Sequence, residues 1–70
     1  MPPFSPELIQ TMRAALEEVM TRVPFDQSTS AVKAHVADCI LKAAAEGQTS
    51  YDGLIAAAAA QLQSILMLFT

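Results

Sequence analysis

The chain is short of most things that usually tie a small protein together. It has one cysteine, Cys39, so no disulfide can form within it. It has one histidine, His35, so a metal site inside a single chain would be poor in ligands. Its 70 residues make one domain, residues 1–70. A domain of that size buries only about 60% of the surface its unfolded chain exposes and is marginal alone. Small scaffolds compensate with disulfides, a metal, oligomerisation or very tight helix packing. This sequence leaves the last two.

Positive charge is scarce as well. Four Lys and Arg stand against seven Asp and Glu, for a net charge of −3. Nucleic acids and anionic membranes select for a basic face, so neither is expected as a partner. No basic residue follows Lys42, and no charge of either sign follows Asp52. The uncharged run after Gly53 tempts a membrane reading. It is 17 residues long and holds Gln61, Gln63 and Ser64. A spanning helix needs about 20 predominantly apolar residues, and no basic residue flanks this run. No membrane span is expected. The opening residues 1–8, MPPFSPEL, have no basic region and no long apolar region, so they do not read as a signal peptide. A lone free cysteine fits a reducing compartment, and the expected location is cytoplasmic.

What the chain does have is apolar surface and alanine. Hydrophobic residues make up 53% and charged residues 16%, the opposite of a disordered composition. Alanine-rich chains poor in β-branched residues favour helix. The expected fold is all-α: a small three-helix bundle with helices at about 6–23, 29–46 and 51–69, packed as a homodimer.

The first helix announces itself. Ser5 is placed to cap it, Pro6 suits the first helical position, and Glu7 sits where the dipole favours an anion. Phe4 and Ile9 have the spacing of a hydrophobic staple. At about 100° per residue, Leu8, Ile9, Met12, Ala15, Leu16, Val19, Met20 and Val23 share one arc, with Leu16 at its middle. The opposite arc holds Glu7, Gln10, Arg13, Glu17, Glu18 and Arg22. Pro24 biases Val23 away from helix and stops the run. Phe25 is expected to plug the core beneath the connection.

Thr29 is the expected cap of the second helix. Val32, Val36, Cys39, Ile40, Ala43 and Ala44 define its apolar centre. Ala34, Ala37 and Leu41 widen that arc beyond half the circumference, and Lys33 falls inside it, where its stem can snorkel. Asp38, Lys42, His35 and Glu46 make a narrow wet stripe, and Gly47 is the expected C-terminal cap. Ser50 caps the third helix. Gly53 in its first turn costs about 1 kcal/mol against alanine, which suggests close approach to another backbone.

On the third helix Leu54, Ile55, Ala58, Leu62, Ile65, Leu66 and Phe69 form the main face. The back carries Ala56, Ala60, Ser64 and Met67, with Leu68 at its margin. A helix apolar all round must be covered on more than one side. Ala56, Ala60 and Ser64 recur every four residues, a spacing of small side chains that lets helices approach closely. A closed monomeric bundle needs one apolar arc per helix, and helices two and three have more. The surplus marks Ala56, Ala60, Ser64, Met67 and Leu68 as the expected interface with a second copy or another protein.

Chemistry finds little to stand on. His35 and Cys39 lie one helical turn apart with Asp38 beside them, and that spacing could serve a Cys–His pair or half a metal site. An exposed histidine and a cysteine packed at the core's edge explain the same residues. Glu7, Glu17, Glu18 and Asp26 suit a solvated surface. No phosphate loop, nucleophile elbow or zinc signature is present. No catalytic residue, cofactor or metal is expected.

Residues 43–54, AAAEGQTSYDGL, have the outline of a helix-turn-helix. A recognition helix should open with Arg, Lys, Asn or Gln. This one opens with Tyr51, Asp52 and Gly53. A DNA-associated regulator fragment with a degenerate helix-turn-helix is therefore the alternative to a protein-interaction module.

Residues 40–54, ILKAAAEGQTSYDGL, run as an apolar pair, alanines, a charge, glycine, a polar turn, then Asp and Leu. The pattern resembles a set of small helical α-proteobacterial proteins of unknown function. It extends over most of the chain from a Phe-x-Pro-Glu start, here Phe4-Ser5-Pro6-Glu7. Typical members carry a Gly-Glu/Arg-Arg-Asp-Pro turn, where this chain has Gly47-Gln48-Thr49-Ser50-Tyr51-Asp52-Gly53. The resemblance implies a helical fold and a bacterial source, and no site residue.

Overall fold

The computed structural model describes residues 4–69. Three α-helices follow one another: α1 Pro6–Met20, α2 Ser30–Ala45 and α3 Tyr51–Met67. A single 3-10 turn, Phe25–Gln27, lies between α1 and α2. No strand occurs among the described residues, and the expected all-α three-helix architecture is what the chain adopts.

Each helix begins on a hydroxyl. The Leu8 N–H donates to Ser5 Oγ at 3.1 Å, Val32 N–H to Thr29 Oγ1 at 3.2 Å, and Gly53 N–H to Ser50 Oγ at 3.0 Å. Each bond satisfies one of the amide donors that a helix start leaves without an intrahelical acceptor.

The helix ends differ by up to three residues from the sequence expectation. Pro24 has no N–H to give the Met20 carbonyl. That carbonyl accepts instead from Val23 N–H at 3.2 Å, and the Val19 carbonyl from Arg22 N–H at 3.0 Å. The last turn of α1 thus tightens to i→i+3 bonding, and the α-helix ends at Met20 rather than Val23. Val23 still packs into the core. At the end of α2 Gly47 has φ +106°. Its N–H donates to Ala44 at 3.1 Å, and the Gln48 N–H reaches back to Ala43 at 2.9 Å. These are the two bonds of a Schellman motif. At its far end, α3 stops at Met67, two residues short of Phe69.

The core forms where the three helices meet. Ala15 and Val19 of α1, Val32, Val36 and Ile40 of α2, and Leu54 and Ala58 of α3 are all at most 1% exposed. All three helix pairs pack together. Fully burying each larger aliphatic side chain contributes about 1.5–3 kcal/mol, and no polar residue is buried among them. The radius of gyration is 11.7 Å, close to the roughly 11 Å of a compact chain of this length.

Ion pairs decorate the outside. Glu18–Arg22 at 3.7 Å and Asp38–Lys42 at 3.5 Å are i, i+4 pairs within a helix, and Glu17–Lys33 at 3.4 Å ties α1 to α2. All are exposed, so each contributes at most about 1 kcal/mol.

Lys33 carries its ammonium to the exposed Glu17 carboxylate of α1 at 3.4 Å, as a snorkelling side chain near the start of α2 can. Three expectations are corrected here. Phe25 does not plug the core; it is 97% exposed, because the 3-10 turn carries it outward. The middle of α1's buried face is Ala15 and Val19, while Leu16 is only half-buried and Ile9 is exposed. Gly53 makes room for a side chain rather than a backbone. The carboxamide of Gln48 lies where a Gly53 Cβ would sit, and its Oε1 accepts from the Ser50 hydroxyl at 3.0 Å.

Candidate functional site

His35 and Cys39, the pair weighed for chemistry, stand one turn apart on α2. His35 is exposed on α2, with its ring edge-on to Phe69, centroids 5.4 Å apart and planes at 72°. Cys39, one turn on, is half-buried at the edge of the core. Among the described residues no group of three His, Cys, Asp or Glu side chains could hold a metal ion. Among the same residues no helix is long and apolar enough to cross a membrane.

The molecule's distinguishing surfaces are apolar. On α3 the packed side presents Leu54, Ile55, Ala58 and Ile65, all buried. Ala56, Ala60, Ser64 and Leu68 are exposed on the other side, together with Met67. The exposed residues divide into two kinds. Ala56, Ala60 and Ser64 form a smooth stripe of small side chains along the helix. At its C-terminal end Met67 is 68% exposed and Leu68 70%. The stripe is made of small side chains, and the C-terminal end carries the two bulky ones.

A second surface lies between α1 and α2 and was not singled out by sequence reasoning. Phe4, Ile9, Met12 and Leu16 meet Ala37, Ile40 and Leu41 around an open groove of about 270 Å³. Its wall is wholly apolar, and Arg13 lines it without turning a polar atom inward. The antiparallel course of α1 and α2 creates it: Ile9 and Leu41 stand at the margins of their helices' apolar arcs. Each turns partly away from the core, which α3 closes from the other side. Phe4, just before the Ser5 cap, and Ile9 both line this groove, so residues at the helix start also shape a surface. The available signal was the width of the two arcs, since both Ile9 and Leu41 sit at an edge rather than a centre.

Electrostatics single out one groove residue. Of the four Lys and Arg in the chain, Arg22, Lys33 and Lys42 each have a carboxylate within 4 Å. Arg13 has none among the described residues. Comparison of the chain with protein-family models, curated proteins and solved structures finds no match.

Proposed function

We propose that this chain is a small, non-catalytic helical module that works by self-association, pairing copies across the outward face of α3. The observation that carries the reading is the exposure of Ala56, Ala60, Ser64 and Leu68 on a helix whose opposite side is already buried. Contiguous apolar surface on a folded chain marks a place where another protein sits. Two-fold pairing of identical patches is the commonest way to cover such a surface. The four-residue spacing of small side chains lets two copies of α3 come close, and Met67 and Leu68 would pack at the end of the contact.

The experiment is sedimentation of the parent chain and Ala60→Glu at high micromolar concentration. Glutamate preserves helix propensity but sets two like charges near a symmetry axis, desolvated and without partners. The variant is expected to stay helical and to sediment as a smaller species than the parent. Equal masses would remove α3 from the interface. A monomeric parent would end the self-association reading.

A further inference from the structure

We infer that the α1/α2 groove is a docking site for the Phe25–Asp26 turn of a second copy of this chain, with Asp26 of that copy paired to Arg13. The inference rests on the reading that the chain self-associates, and it adds a second contact on the side of the bundle away from α3.

Four observations, two on the groove and two on the Phe25–Asp26 turn, converge on it. The groove has an apolar wall and about 270 Å³ of space; a cavity of about 150 Å³ already holds a benzene ring, so a phenylalanine side chain fits. Phe25 is 97% exposed, the highest value of any large apolar side chain described. It is held out on an ordered 3-10 turn, with Gln27 N–H bonded to the Pro24 carbonyl at 2.9 Å. An aromatic presented on a fixed turn loses little conformational freedom when it docks. Beside it Asp26 has no cation within ion-pair distance among the described residues, and beside the groove Arg13 has no anion. The turn therefore carries an apolar plug followed by a negative charge, and the groove is an apolar hole flanked by a positive one.

Topology allows the exchange to be mutual. The groove is built from residues 4–16 and 37–41, at the open end of the α1/α2 hairpin. Phe25 lies at the closed end of the same hairpin. Two hairpins laid antiparallel about a two-fold axis bring each turn to the other's open end. Both copies then give and receive the same contact, as a closed isologous pair requires. Within one copy the separation of the two ends keeps Phe25 out of its own groove.

The test is sedimentation of the full-length chain carrying Ala60→Glu, which leaves only contacts away from α3. That protein is expected to remain a dimer at high micromolar concentration, half the mass of a parent that pairs through both contacts. Adding Arg13→Glu or Asp26→Arg alone should dissociate it, and adding both should restore the dimer with the charges exchanged. Phe25→Ala in the same background should raise the dissociation constant about 30-fold or more, the scale of a central aromatic anchor. Arg13, Phe25 and Asp26 are all exposed, and circular dichroism is expected to show unchanged helicity in every variant. A parent that oligomerises while its Ala60→Glu form is monomeric would overturn this inference and leave the α3 contact standing. Charge reversals or Phe25→Ala without effect on the dimer would overturn it too, as would a double reversal that stays folded but monomeric. A monomeric parent would remove both contacts together.

Discussion

Exchanging each of the two glycines for alanine should move stability in different directions, although they stand only six positions apart. Gly47 holds φ at +106° and closes the Schellman motif that ends α2. Nothing lies within 4 Å of the position its Cβ would take, so space is not the obstacle. The backbone is. A side chain in the left-handed region costs about 1–2 kcal/mol, and relieving it would break the bonds to Ala43 and Ala44. Gly53 is inside the first turn of α3 with ordinary helical geometry. Alanine there gains about 1 kcal/mol of helix propensity. The new methyl would evict the Gln48 carboxamide, the mobile end of an exposed side chain, and break its 3.0 Å bond with Ser50. A solvent-exposed hydrogen bond of this kind is worth about 0.5–1 kcal/mol. Gly53→Ala should therefore be neutral or slightly stabilising, and Gly47→Ala destabilising by about 1–2 kcal/mol. Against a total of about 3.5–10 kcal/mol for a chain of this length, that gap is well within reach of urea melts at matched protein concentration. The reasoning is refuted if Gly47→Ala melts at or above the midpoint of Gly53→Ala.

Leu54→Ala and Leu16→Ala should also separate in urea melts. Leu54 is fully buried, so its truncation leaves a closed cavity and costs about 2–5 kcal/mol. Leu16 is half-buried on the wall of an open groove, which water can fill, so its loss should be clearly smaller; equal losses would mean the groove is closed in solution. Cys39, half-buried at the core's edge, should react with a thiol reagent more slowly in native buffer than in denaturant. Equal rates would place its sulfur fully at the surface.

The helices themselves were legible in the sequence because their causes are local. Ser5, Thr29 and Ser50 cap through bonds to residues three positions on. Gly47 ends α2 through its own φ. Periodicity likewise placed Val19, Val32, Val36, Ile40, Leu54 and Ala58 in the core, and put Ala56, Ala60 and Ser64 on the far side of α3, where all three are exposed. What periodicity cannot give is which margin of a wide arc the neighbouring helices cover. Leu41 and Ile9 lie on apolar arcs yet are exposed, because α3 packs on the other side of the α1/α2 pair. Lys33 meets Glu17, sixteen residues earlier, only because α1 and α2 pack side by side. Phe25 looked like a plug from composition alone, and the direction of a three-residue turn sent it into solvent. Hydrogen bonds within one turn of helix are set by the chain's own neighbours. The sides left open, and so the α1/α2 groove, are set by the antiparallel register of helices far apart in sequence, which tertiary packing alone decides.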